Sequence, residues 1–126
     1  MTVLMEKLTP NLIVDSIEKA LPLWVERLGF EKTVEVPDGK VLGFVILKKG
    51  DIELMLQSQA SLTKDLPPIA DGPHRSLLYL EVPDLAPFRT ALAGWPPAAP
   101  ERTTFYGAQE LIVRAPSGHI VIFASR

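Results

Sequence analysis

Leu8-Thr9-Pro10-Asn11-Leu12-Ile13-Val14-Asp15-Ser16-Ile17-Glu18-Lys19-Ala20-Leu21 is the stretch on which the fold turns. Its first half is a short apolar run. Its second half opens a stripe, Ile17, Leu21, Trp24, Val25 and Leu28, at the spacing of one helix face. A change of period over two residues marks a strand that feeds a helix. Asp15, with Glu18 three residues on, reads as a capping box and Gly29 as the helix stop. Pro22 lacks an amide hydrogen and predicts a kink or a late start near the first turns.

Three strands follow, over residues 30–36, 41–47 and 52–57, with Pro37-Asp38-Gly39 and Lys48-Lys49-Gly50-Asp51 as turns between them. Residues 59–73 are polar and carry prolines, as a linker does. The order then restarts. A strand at 77–82 runs into Pro83-Asp84 and a short helix carrying Leu85, Phe88 and Leu92, which stops at Gly94. Pro96, Pro97 and Pro100 make a stiff extended connection. Strands at 102–106, 109–114 and 120–124 close the chain, the last two joined by Ala115-Pro116-Ser117-Gly118. The repeat lies in the order of elements, βαβββ twice, rather than in identity. It predicts an α+β fold in a single domain over 1–126: one module at about 7–58, a linker at about 59–75 and a second module at about 76–126.

Composition bounds the function. A chain of 126 residues with 47% hydrophobic residues can bury a core of its own. The net charge is −2 with no basic stripe, which argues against nucleic acid as a partner. Cysteine is absent, so disulfides, thiol nucleophiles and thiolate metal sites are excluded. No apolar run is long enough to span a membrane, and Met1 to Leu8 lacks the apolar centre of a signal peptide. A cytoplasmic protein without membrane contact is expected.

Four segments, Val14-Asp15-Ser16-Ile17-Glu18-Lys19-Ala20-Leu21, Leu28-Gly29-Phe30-Glu31, Ile52-Glu53-Leu54-Met55-Leu56-Gln57 and Ala115-Pro116-Ser117-Gly118-His119, resemble the vicinal-oxygen-chelate superfamily of glyoxalases, bleomycin-resistance proteins and extradiol dioxygenases. The resemblance implies two modules that curl into a cleft, and commonly a homodimer. In the family's enzymes it implies four metal ligands, usually His and Glu, on the first and last strand of each module. Those positions fall here on Thr9 or Pro10, on Glu53, on Leu77 or Ser76, and on Ile122 or Val121. One carboxylate of four remains. His74 lies in the linker and His119 just after a turn, where both read as turn or surface residues. No metal, cofactor or catalytic residue is therefore expected.

Strand alternation gives the cleft face. Pro10, Leu12 and Val14 face the core, as do Ile52, Leu54 and Leu56, then Leu78, Leu80 and Val82, then Leu111 and Val113, while the last strand turns Ile120, Ile122 and Ala124 inside. Opposite them stand Thr9, Asn11 and Ile13; Asp51, Glu53, Met55 and Gln57; Leu77, Tyr79 and Glu81; and Glu110, Ile112 and Arg114. Ile13, Met55, Leu77, Ile112 and Ile122 form apolar walls, and Tyr79 adds an aromatic ring. Phe105-Tyr106-Gly107 offers stacking surface at the rim. Candidate ligand contacts are thus Asn11, Glu53, Met55, Leu77, Tyr79, Phe105, Tyr106, Glu110 and Ile122. Glu110 and Arg114 read first as an ion pair across the strand face. Trp24 is a core residue and Trp95 a packing plug.

An apolar trough with a few orienting polar groups is the usual make-up of an organic-ligand site. The expected function is metal-independent sequestration of a small organic, antibiotic-like molecule. The alternative is a lyase- or dioxygenase-type enzyme, with metal ligands not registered by the alignment or with Glu53 or Glu110 as general base. A scaffold whose cleft is filled by its own side chains is the third reading.

Overall fold

The computed structural model describes residues 4, 6–71 and 73–126; within Met1 to Leu8, residues 1–3 and 5 lie outside that description, as does Gly72 in the linker. The described residues form β1 (Asn11–Val14), α1 (Ile17–Leu21), β2 (Glu31–Asp38), β3 (Val41–Lys49), β4 (Ile52–Ser58), α2 (Gln59–Asp65), β5 (Leu77–Glu81), α3 (Ala86–Ala91), β6 (Arg102–Thr103), β7 (Gln109–Arg114) and β8 (Ile120–Ser125). They build two four-stranded sheets of identical pattern, β1-β4-β3-β2 and β5-β8-β7-β6. In each, the first strand runs parallel to the last and the other pairs are antiparallel. The fold is α+β, with the βαβββ order present twice.

The entry into α1 differs from the expected capping box. Ser16 is the cap: its hydroxyl accepts from the Lys19 amide at 3.2 Å. Glu18 turns away to accept from the Leu42 amide at 2.8 Å. Asp and Ser cap about equally well, so residue type could not choose between them. Asp15 is engaged elsewhere, its amide donating to Ser117 Oγ at 2.9 Å.

Pro22 does not delay the helix, which starts at Ile17, but changes its hydrogen-bond register. It has no hydrogen to give the carbonyl four residues back, and the α-helix gives way at that residue to a π-helical segment, Pro22–Arg27. There the Leu28 amide reaches the Leu23 carbonyl at 3.0 Å. The wider turn sends two consecutive side chains, Leu23 and Trp24, into the core, and Phe30 meets the Trp24 ring edge-on.

The segment read as a linker contains α2. Ser58 caps it by accepting from the Ser61 amide at 3.1 Å. Leu62 is its one buried residue, too short a stripe for periodicity to register. Ser61 accepts from Gln57 Nε2 at 3.2 Å, so α2 lies against the first sheet. Gly43 leaves room for it, because a Cβ there would stand 3.4 Å from Ser61 Cβ and 2.9 Å from Asp38 Cβ.

One cluster of buried side chains draws on both modules, including Leu12, Val14, Leu54 and Leu56 from one and Val113, Val121 and Phe123 from the other. Each fully buried side chain of this kind contributes about 1.5–3 kcal/mol. Alternation places these residues with two corrections. Ile52, expected in the core, stands at the strand's open end and is half exposed. In β8 the core residues are Val121 and Phe123, so Ile120, Ile122 and Ala124 have the opposite parity and face away from the helices. An unbroken apolar run such as Ile120-Val121-Ile122-Phe123-Ala124 carries no period, and alternation alone could not orient it.

The modules meet where β1 ends. His119 is 2% exposed, with Nε2 2.8 Å from the Ile13 carbonyl and Nδ1 2.8 Å from Ser76 Oγ. This corrects its reading as a turn or surface residue. The carbonyl can only accept, so Nε2 donates and the imidazole ties β1 to the start of β5. Close by, Ser117 holds the left-handed conformation at φ 66 while its hydroxyl receives Asp15.

Candidate functional site

The register of the second sheet arranges its helix-free face as a grid. One row runs Leu77, Ile120, Arg114. The next runs Tyr79, Ile122, Ile112, and the third Glu81, Ala124, Glu110, Arg102. The face thus grades from a cationic end, through an apolar middle, to an end rich in hydroxyl and carboxylate groups. Ile112 and Ile122 are nearly closed off, while Leu77 at 67% and Tyr79 at 46% are exposed. A cavity of about 720 Å³ opens at the first row and one of about 280 Å³ at the third, beside Tyr79 and Arg126.

Glu110 is the most buried charged group on this face, at 1% exposed. Its partner is not Arg114. Arg102, its neighbour across the β6–β7 ladder, donates Nε to Glu110 Oε1 at 2.7 Å, and Tyr106 gives its hydroxyl to Oε2 at 3.3 Å. The expected Glu110–Arg114 pair is corrected for a geometric reason. Residues four apart on a strand lie about 13 Å from each other, whereas a cross-strand partner lies within about 5.5 Å. The buried carboxylate holds the Arg102 guanidinium charged above its ordinary range.

Tyr79 extends this chain. Its phenol is raised from the ordinary 10.0, chiefly by hydrogen bonding with the Tyr106 phenol, then by desolvation and by the negative charge of Glu110 and Glu81. Tyr106 and Arg102 thus occupy the two oxygens of Glu110, and Tyr79 stands beside them. Arg126 stands over the Tyr106 ring at 5.6 Å, and Phe105 meets that ring edge-on at 5.0 Å. Phe105 is fully exposed, because β6 stops at Thr103 and a turn closed by the Gly107 amide on the Thr104 carbonyl carries the rings outward.

The chain has two tyrosines, which makes this arrangement testable by phenolate absorbance. The wild type is expected to show a step above 10.0, and Tyr106→Phe to bring the remaining phenol back toward it. A raised folded-state value means that the stability from this bond is present below about pH 10 and lost as pH rises through the shifted value. An unchanged Tyr79 titration in Tyr106→Phe sinks the assignment.

The other candidates lie on the first sheet. Asn11 donates to Gln57 Oε1 at 3.0 Å, Met55 is half-buried opposite Asn11 and Ile46, and Glu53 is held by Lys7 at 2.7 Å. Neither cavity on the second sheet is lined by Asn11, Glu53 or Met55. The candidates therefore fall into two groups, with Leu77, Tyr79, Phe105, Tyr106, Glu110 and Ile122 on or beside one sheet. Sequence reasoning missed Arg102 and Arg75. The signal for Arg102 was present, since hairpin pairing of 102–103 with 109–110 sets it opposite Glu110.

Among the described residues no three His, Asp or Glu side chains converge as metal ligands. The residues at the four ligand positions do not fit a metal: Thr9 or Pro10, Leu77 or Ser76, and Ile122 or Val121 supply no imidazole or carboxylate, and Glu53 is engaged by a lysine. Among the described residues no helix is long and apolar enough to cross a membrane.

No family model and no curated protein matches the sequence. Solved structures match closely in shape. A glyoxalase-related enzyme from Fulvimarina pelagi is 16% identical at a TM-score of 0.76, covering 98% of this chain and 89% of its own. A lactoylglutathione lyase from Agrobacterium tumefaciens is 17% identical at 0.77, covering 95% and 92%. The bleomycin-binding protein from Streptomyces verticillus, solved with copper(II)-bleomycin, is 23% identical at 0.64, covering 99% of each. Matches that span both modules fix the architecture, and the chain has the glyoxalase/bleomycin-resistance/dioxygenase fold.

Proposed function

We propose that this chain is a metal-independent binding protein that sequesters a small organic molecule on the open face of its second sheet. The observation that carries the reading is the grid itself: exposed Leu77 and Tyr79 beside a buried, fully partnered Glu110. Apolar surface supplies the affinity, and the exposed Tyr79 offers its hydroxyl to orient a polar group of the ligand. Phe105 and Tyr106 offer stacking surface at the rim. Glu110 serves as scaffold rather than base, because both its oxygens are occupied. The same fold carries bleomycin in the Streptomyces verticillus protein, which supports the reading. In this proposal the protein is cytoplasmic and works as a homodimer, the second copy covering part of the exposed Leu77 and Phe105.

A thermal-melting screen against aromatic and antibiotic-like compounds tests it. A true ligand at a hundredfold excess over its Kd stabilises by about 2.7 kcal/mol, roughly 8–12 °C for a domain of this size. EDTA is expected to leave the melting temperature unchanged, and sedimentation of the same samples to give twice 13.9 kDa. A broad panel without a single shift defeats the binding reading, and stoichiometric Fe, Mn, Ni or Zn that resists dialysis defeats its metal independence.

A further inference from the structure

The chain has six arginines. Four are engaged: Arg27 donates to the carbonyls of Ala91 and Ala93, Arg89 pairs with Glu101, Arg102 pairs with Glu110, and Arg126 covers the Tyr106 ring. Arg75 and Arg114 have no carboxylate, carbonyl or ring partner for their guanidinium groups among the described residues. Both line the same space, the cavity of about 720 Å³ at the junction of the modules.

We propose that this cavity holds the acid group of an organic anion, with Arg75 and Arg114 as its two guanidinium ligands. The inference deepens the binding reading and rests on it, by naming the class of ligand. Each arginine is positioned by the fold. Arg114 ends the open-face row of β7, beside Ile120. Arg75 packs its stem across Gly118, where a Cβ would stand 3.6 Å from its Nε and 3.9 Å from its Cδ. Gly118 also sits at φ 86, which a larger residue would resist.

Charge and hydrogen bonding agree. Asp15 also lines the cavity but forms no ion pair with either arginine, which leaves two cations against one carboxylate. Ser117 Oγ accepts from the Asp15 amide and keeps its own hydrogen to donate inward. A planar guanidinium pairs with carboxylate or phosphate through parallel hydrogen bonds, and two of them in one concavity select an anion. Leu77 and Ile120 continue from the cavity onto the apolar row of the grid. The ligand therefore has an anionic head at the junction and an apolar or aromatic body lying toward Tyr79.

Isothermal titration of the intact protein with 2-naphthoate, 2-naphthyl phosphate and the neutral 2-naphthylmethanol tests the assignment. The two anions are expected to bind at least about tenfold more tightly than the alcohol, the size of one charge-assisted hydrogen bond. Arg75→Gln and Arg114→Gln should each remove much of that margin and the double variant all of it, with melting temperatures unchanged and Arg89→Gln as a control outside the cavity. Carboxylate above phosphate, or the reverse, identifies the head group. Equal affinity for alcohol and anions, or a preference that survives the double variant, overturns the anion pole while leaving the binding reading in place. No binding by any of the three overturns it too, and the broad melting screen then judges the binding reading separately.

Discussion

Phe123→Ala is expected to lower the free energy of unfolding by about 3–5 kcal/mol, the cost of a large-to-small change in a core that does not collapse around the gap. Phe123 is 2% exposed, and its ring centroid lies 4.8 Å from that of Phe88 on α3. It also lines a small apolar cavity with Leu28 and Phe30 of the first module and Leu80 and Val82 of the second. Removing the ring enlarges a void that already exists, so few neighbours can close it. Set against the usual total of about 5–15 kcal/mol, this is a large fraction of the protein's stability. Phe123→Leu keeps most of the volume and is expected to cost less than about 1.5 kcal/mol. Urea denaturation of the two variants checks the ranking. A Phe123→Ala unfolding free energy within about 1 kcal/mol of wild type would mean that the modules do not share this contact. The consequence reaches function through the strand: Ile122, the residue before it, stands on the opposite face, and β8 holds both sets of side chains in place.

The difference between Phe123 and Ile122 shows where the sequence was legible. In β5 Tyr79 and Glu81 alternate with Leu78 and Leu80, and in β1 and β7 the polar Asn11, Glu110 and Arg114 mark one parity, so Asn11, Tyr79 and Glu110 could be assigned away from the helices. In β8 five apolar residues run together, and only the register with β5 and β7 orients them. The repeated βαβββ order was legible because each helix stripe and each glycine stop recurs at the same place in both halves. The helix in 59–65 was not, since a seven-residue helix with one buried leucine leaves no period to read. Paired partners were the hardest part. Glu110 was visible as a polar residue on an apolar face, but its choice of Arg102 over Arg114 depends on the β6–β7 register, and β6 is two residues long. The arginines at the junction were out of reach for a related reason: Arg75 belongs to the connection before β5, and Arg114 was paired in the sequence reading with Glu110, which Arg102 holds.

His119→Ala is expected to cost about 2–4 kcal/mol, although a histidine after a proline-glycine turn reads as a bland surface residue. The cost has two parts. Two hydrogen bonds are lost, each worth about 0.5–1.5 kcal/mol net, and the Ile13 carbonyl and Ser76 hydroxyl are left without a partner in a place water reaches poorly. The imidazole also fills space at 2% exposure, so its removal opens a cavity. Two further variants separate these parts. His119→Leu restores volume without hydrogen bonds, and Ser76→Ala removes one bond while leaving the Nε2 contact to Ile13, so each should fall between wild type and His119→Ala. Hydrogen exchange adds a local reading. The Asp15 amide, which donates to Ser117 two residues before His119, should exchange faster in His119→Ala than in wild type, because the turn loses its anchor on β1. If His119→Leu matches wild type in stability and in exchange at Asp15, the ring is acting as filler. In that case the two modules are held together by their shared apolar core, and the hydrogen bonds to Ile13 and Ser76 add nothing measurable.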